Sequence, residues 1–277
     1  LFVIHSLTAF AQPALRWGGD PSGGAPYVYA DPADPQSYTG FDYEFAEALA
    51  RQMNMKPEFV PTDWESIVAS LQRKEFDVII DGFEPTEDRA REVLFSKPYY
   101  LFGLQLTVKS TDPLITSLED CRTYDKSVGT LVNCAASRLL EKGNYRSIAY
   151  QDPVGAYQDL ELGRVDAVLM DVAGEMFYAR QNPKLRHAGK PFPIGAYVVG
   201  IRKQDTLLLK QVNAAIDTLV NNGTVEKIFR KWQLWDDEQL KLLSVKPPAF
   251  EMTNTKLNWT GGLIKLFKAA CVTVLIA

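Results

Sequence analysis

Residues 77–100 read DVIIDGFEPTEDRAREVLFSKPYY, and their order decides the fold. An apolar strand, Val78-Ile79-Ile80, runs into Asp81-Gly82; Pro85-Thr86 then opens a helix with Arg89 in its first turn. That layout sets a permanently charged guanidinium beside free backbone N–H groups, at the carboxyl end of a strand. Anions bind at such places because the donors are already aimed and the helix dipole favours negative charge.

Outward from this run, strands and helices alternate, the mark of an α/β fold. Upstream, Leu15–Gly18 predicts a strand ending in a glycine- and proline-rich loop, Gly19 to Pro35. Gly40-Phe41-Asp42 opens a helix whose apolar positions Phe41, Phe45, Ala48, Leu49 and Met53 fall at helical spacing. Glu58–Val60 is a second strand, Trp64, Ile67, Val68 and Leu71 form one helix face, and Asp77–Ile80 is the third strand. The 77–100 loop therefore sits at the carboxyl edge of a parallel sheet, where α/β folds bind ligands.

Downstream a second set follows: strands at 104–108, 127–130 and 165–170, a helix start at 117–120, and helices at 135–141 and 153–162. The chain returns through a strand at 196–201 to two closing helices, 206–220 and 224–232. A chain that leaves one α/β lobe and comes back needs two crossings, placed near 102–106 and 194–198. Lobe one is then 14–103 with 196–240, lobe two is 104–195, and 241–257 is a linker.

Composition sets limits. With 277 residues, 46% hydrophobic and 23% charged, the chain is a folded globular protein with material for two modest lobes. A net charge of −4 without basic patches gives no reason to expect nucleic acid. Two histidines exclude a histidine-rich metal site, and three cysteines make no disulfide framework. Cys121 and Cys134 read as small buried thiols, with a pairing open to them in an oxidising compartment.

Both ends carry a separate signal. Residues 1–11 (LFVIHSLTAFA) look like the end of a secretory signal with an A-x-A cleavage site, and a buried first strand is the alternative. Residues 258–277 are mostly apolar from Leu263, with Trp259 placed as an interfacial aromatic. They read as the start of a transmembrane segment, or else as an amphipathic helix packed on the domain.

The 77–100 stretch resembles the signature of the periplasmic amino-acid-binding proteins of ABC importers. Gly82, Thr86 and Arg89 match its Gly-x-x-x-Thr-x-x-Arg, and Phe95-Ser96-Lys97-Pro98-Tyr99-Tyr100 matches its hinge-leading segment. Gly163-Arg164-Val165-Asp166-Ala167, closing on Asp171, resembles the family's Gly-x-x-Asp-Ala stretch. The resemblance covers about residues 14–240. It implies a two-lobed periplasmic-binding-protein-like fold, with two mixed or parallel sheets joined by a two-segment hinge. It also implies a free amino acid as ligand, ABC permease and ATPase subunits as partners, and an extracytoplasmic location. No cofactor, metal or catalytic residue is implied. The end of the chain is similar to the opening of the first membrane helix in permease subunits of such importers, which implies a fused permease and membrane attachment.

The resemblance assigns Arg89, with Gly82 and Thr86, to the ligand carboxylate; a planar fork matches a carboxylate in a way that Lys cannot. It assigns Asp171 to the ligand ammonium, although an Asp ending an apolar strand also suits a helix cap. Trp64 aligns with a stacking aromatic, or is a core Trp. Tyr27 stands where relatives supply another wall, with Gly24 before Ala25-Pro26 where they have an aromatic. Asp20 matches a position that meets basic ligand side chains. Asp166 reads as structural.

Two departures stand out. Glu84 replaces a Thr or Ser that helps hold the carboxylate, so it repels the ligand unless it points at a cation or is held by a protein base. Asn133-Cys134-Ala135 replaces a hydroxyl-rich turn, leaving backbone N–H groups to act. Asp20, Asp81, Glu84 and Asp171 outnumber Arg89, which tilts the expected ligand toward a cationic or polar amino acid. Two rival functions share the fold: a dehydratase of prephenate-like acids, with Glu84 or Asp81 as general acid, and a sensory input domain of a membrane receptor.

Overall fold

The computed structural model describes residues 12–22 and 24–245. The expected signal segment (1–11) and transmembrane start (258–277) lie outside the described residues. Among the described residues no helix is long and apolar enough to cross a membrane.

The chain opens with β1 (Ala14–Gly19), a hairpin of β2 (Tyr29–Asp31) and β3 (Asp34–Thr39), α1 (Phe41–Gln52) and β4 (Lys56–Pro61). Then come α2 (Ile67–Gln72), β5 (Val78–Ile79), α3 (Glu87–Glu92) and the long β6 (Val93–Lys109). The middle of the chain forms α4 (Leu118–Thr123), β7 (Val128–Leu131), α5 (Ala135–Lys142), β8 (Ser147–Tyr150) and α6 (Pro153–Leu162). It continues with β9 (Ala167–Asp171), α7 (Val172–Tyr178), β10 (Leu185–His187) and β11 (Phe192–Arg202). Helices α8 (Thr206–Asn221) and α9 (Thr224–Lys231) close the fold, followed by a 3-10 helix at Asp237–Ser244.

Lobe one is built on β4, β1 and β5, which run parallel, and lobe two on β8, β7 and β9, also parallel. The expectation of two separate sheets is corrected: one mixed nine-stranded sheet runs through both lobes in the order β4-β1-β5-β11-β6-β9-β7-β8, with β10 on β6. The cause is the length of β6. It pairs antiparallel with β11 from Val93 to Leu104, then with β9 from Leu104 to Val108, so the crossing strands carry the ladder from lobe to lobe.

The first loop is corrected too. Residues expected to be irregular up to Pro35 contain the β2–β3 hairpin, a second two-stranded sheet. The linker expected from 241 starts inside the Asp237–Ser244 turn, where Gln239 and Leu242 are buried. The Gln239 amide accepts from Leu101 N at 2.9 Å and donates to Leu101 O at 2.8 Å, tying this turn to the hinge strand.

The helices follow their apolar periodicity. Phe41, Phe45 and Leu49 of α1 are fully buried beneath the lobe-one sheet. Gly40 precedes them at φ 136°, and a Cβ there would lie 2.0 Å from Tyr27 O, so only glycine fits. Phe41, Tyr100, Phe102, Tyr197 and Phe229 form a run of ring contacts behind the hinge, with centroids 4.5–6.5 Å apart. This aromatic block gives both crossing strands a stiff backing.

Candidate functional site

Between the lobes lies a cleft of about 420 Å³. Lobe one contributes Asp20, Asp63, Glu65, Asp81 and Glu84 to its walls, and lobe two contributes Asp171. Tyr27, Trp64, Gly82, Cys134 and Gln151 also line it. Six carboxylates therefore face one cavity, and among the described residues that line it there is no Lys, Arg or His.

Asp20 follows the end of β1 and is held in place by its neighbours. Its Oδ1 accepts from Ser22 N (2.8 Å) and Ser22 Oγ (2.6 Å), and its Oδ2 from Trp64 N (2.8 Å). Asp81, just past β5, accepts from Asp20 N at 2.8 Å. Burial pushes its carboxyl well above the usual range; the backbone donor and the Arg89 charge oppose the shift, while Asp42 and Asp20 add to it.

Asp42 belongs to this cluster although its sequence position gave it no role. It is completely buried on α1, and its Oδ2 accepts from Gly82 N at 2.5 Å. Burial raises its carboxyl to about 7. The signal was present: an Asp one position from the buried Phe41 lies on the inner side of α1, where a charge needs a partner. Gly82 itself has φ 54°, and a Cβ on it would meet the Tyr27 ring at 2.7 Å.

The expected anion site at the start of α3 takes a different form. The helix has six residues, and its N-cap Thr86 accepts from Arg89 N at 3.2 Å. Thr86 does not line the cleft. Arg89 stands behind the lining, its guanidinium carbon 4.8 Å from the Trp64 ring centre and 4.4 Å from that of Phe83. Its Nη1 donates to Glu84 O at 2.8 Å and its Nη2 to Asn133 O at 3.5 Å. Burial lowers its pKa to about 10, against the pull of Glu84, so it remains charged at neutral pH. Trp64 begins a 3-10 turn before α2, lines the cleft, and is partly buried against the Ile67, Leu71 and Phe83 cluster, so both of its expected settings meet there.

Asp171 caps the next helix and lines the cleft. Its Oδ1 caps α7 by accepting from Gly174 N at 2.7 Å, and its Oδ2 accepts from the Tyr27 hydroxyl. Burial raises its pKa, opposed by these donors. Tyr27 thus reaches from lobe one into lobe two, and its hydroxyl also lies 3.2 Å from that of Tyr197. Asp166 is structural as expected: it accepts from Ser127 N and Ser127 Oγ and pairs with Lys126 at 3.1 Å.

The turn before α5 departs from the expected bank of free N–H donors. Asn133 sits at φ 54° and presents its carbonyl to Arg89 and to Arg138. Cys134 N donates to Ser137 Oγ at 3.1 Å, and Ala135 N donates to Glu84 Oε1 at 3.0 Å. Cys134 and Cys121 are both free thiols. Glu84 resolves the question its charge raised, since its Oε2 accepts from Arg138 Nη2 at 2.9 Å. Sequence reasoning missed Arg138, because nothing in the local pattern links α5 to the loop after β5.

The model of bacterial extracellular solute-binding proteins, family 3, matches residues 15–234. The chain is 32% identical over 201 residues to the L-cystine-binding protein TcyJ of Escherichia coli, covering 72% of this chain and 76% of that one. It is 30% identical over 198 residues to the arginine-binding periplasmic protein of Mannheimia haemolytica, covering 70% of this chain and 81% of that one. A solved ancestral arginine-binding protein bound to glutamine is 32% identical, with a TM-score of 0.72, covering 82% of this chain and 100% of that one.

Proposed function

The chain belongs to the bacterial extracellular solute-binding proteins of family 3, and from that premise we propose that it captures a free amino acid between its lobes for delivery to an ABC transporter permease. The observation that carries the reading is the interlobe cleft, with Asp171 on the lobe-two wall and Trp64 on the lobe-one wall, backed by Arg89. The ligand carboxylate goes to Arg89, the ammonium to Asp171, and the side chain toward Trp64 and Asp20. No bond is made or broken: contacts made in both lobes bias the open–closed equilibrium.

With Glu84 held by Arg138 and burial favouring the protonated form of Asp81, it is Asp20, Asp63, Glu65 and Asp171 on the lining that set a preference for cationic or neutral polar ligands. A second ligand carboxylate would be desolvated beside like charge, whereas an ammonium or guanidinium finds partners. The dehydratase alternative needs Glu84 or Asp81 available as an acid. Glu84 is instead engaged on both oxygens by Ala135 and Arg138, which favours binding over catalysis at that residue. Attachment to the membrane through residues 258–277 belongs to the same proposal, and sedimentation of the full-length chain with membranes tests it.

Calorimetry with arginine, lysine, glutamine, cystine and glutamate tests the capture reading. The expected order puts glutamate last. Arg89→Ala should weaken every ligand by about 2–5 kcal/mol, roughly 30- to 4,000-fold, because the carboxylate loses its cation. Unchanged affinity in the variant sinks the carboxylate assignment, and glutamate binding best sinks the charge argument.

A further inference from the structure

Glu84 makes, from within the protein, the kind of contact that a ligand's carboxylate would make across the cleft. Its backbone belongs to lobe one, in the loop after β5. Its side chain is only 8% exposed, and both of its oxygens are engaged in lobe two. Oε1 accepts from Ala135 N at the first residue of α5, and Oε2 from Arg138 one turn later, partners 51 and 54 residues away in the chain. Arg138 is fixed in turn, because its Nη1 donates to Asn133 O at 3.2 Å. Arg89 answers from lobe one, bonding Glu84 O with one nitrogen and Asn133 O with another. A carboxylate from lobe one and the two guanidinium groups therefore interlock around the α5 turn.

An incidental surface ion pair does not fit this geometry. Exposed pairs contribute little, whereas a carboxylate taken out of water persists only where its partners are aimed at it. Here one partner is a helix-terminal amide and the other a guanidinium held at its far side. The pair also joins the two bodies that must separate for a ligand to enter.

We propose that Glu84 is an interlobe clasp: it occupies the α5 amide and Arg138 from lobe one, so that the protein holds its own closed form without ligand and leaves a captured carboxylate to Arg89. The clasp rests on the two-lobe capture reading, and it adds a specificity rule to that reading. Closure no longer requires the ligand to supply the anion at α5, so ligands are sorted by what they offer Asp171 and Trp64. Among the described residues other contacts also join the lobes, including Tyr27 to Asp171, Gln151 to Glu65 and the Tyr29 ring to that of Phe177. Removing the clasp therefore shifts the equilibrium without abolishing closure.

The test uses ligand-free protein, freed of carried-over solute by unfolding and refolding. Fluorophores placed at the exposed positions 74 and 142 through non-natural amino acids report lobe separation and leave Cys121 and Cys134 untouched. The wild type should populate mainly the short distance with no amino acid added. Glu84→Gln keeps the side-chain size but turns a donor toward Arg138, and it should lower the closed-to-open ratio by about 10-fold or more. Arg138→Ala should do the same, and the double variant should add little to either single change. A ligand-free wild type that is mainly open, or variants with the wild-type distribution, overturns the clasp. The capture reading is judged separately by the amino-acid panel, so either can fail alone.

Discussion

Asp171 holds a helix and faces a cleft with the same carboxylate, and substitution can separate the two jobs. Asparagine caps a helix about as well as aspartate, so Asp171→Asn keeps the bond from Gly174 N while removing the charge. Its thermal midpoint should stay near that of the wild type. Affinity for a free amino acid should fall by about 1.5–3 kcal/mol, the range for a hydrogen bond to a charged group. Binding of an analogue lacking the α-amino group should be spared, and equal losses for both ligands would make Asp171 purely structural. At this scale the sequence was legible where chemistry follows local spacing. Arg89 after Gly82 and Thr86, Trp64 before an amphipathic turn, and Asp171 at the end of an apolar strand all reach the cleft or its backing. Pairings across long separations were not legible. Tyr27 meets Asp171 at a separation of 144 residues, and Asp42 meets Gly82 at 40. A carboxylate's local sequence says that it needs a partner, but packing decides which amide or hydroxyl supplies it.

Among the elements, β6 departs furthest from a sequence reading, because Pro98 argues against a central strand there. The strand tolerates it through a local repair. Opposite Pro98 the β11 register shifts between Tyr197 and Val198 and again between Val198 and Gly200. The displaced N–H groups find other acceptors: Val198 N donates to Phe83 O at 2.9 Å, and Val199 N to Ser96 Oγ at 2.8 Å. Ser96 is fully buried, and its own hydroxyl donates to Lys97 O at 2.6 Å. The Phe-Ser-x-Pro-Tyr-Tyr segment is thus a hinge strand that carries its own substitute for the bond its proline cannot make. Ser96→Ala should leave Val199 N–H buried without an acceptor and cost about 1–3 kcal/mol in urea unfolding. A loss below half a kcal/mol would mean that the ladder closes without the hydroxyl. The major helices and lobe strands were legible from periodicity. β8, α7 and β10 were not: each spans three to seven residues, and α7 starts directly at Asp171 with no loop between. Elements this short are stabilised by the sheet they join, so their own residues carry little pattern.

Over the whole molecule, buried carboxylates set the pH dependence of stability. Burial raises Asp42, Asp81, Glu84, Asp171 and Glu175 above the ordinary carboxylate range, four of them in or beneath the cleft. For such a group the unfolded chain loses its proton first. Between the unfolded pKa, about 4, and the folded one, the native state binds more protons, so stability falls as pH rises. Opposing groups act lower down. Asp166 is held below the usual range by Ser127 and Lys126 despite its burial, so its contribution is lost only as pH drops through its lowered value. The two trends place maximum stability on the mildly acidic side of neutrality. Asp42, with a carboxyl near 7, offers the cleanest test. A shift of that size corresponds to roughly 4 kcal/mol of stability lost between pH 4 and pH 7, as an upper figure. Asp42→Asn keeps an oxygen for Gly82 N and cannot ionise, so it should remain folded and lose less stability than the wild type between pH 5 and pH 7.5. Urea midpoints at those two values measure the difference. Parallel declines in the two proteins would mean that Asp42 folds already ionised, and the acidic optimum would then have to come from the other buried carboxylates.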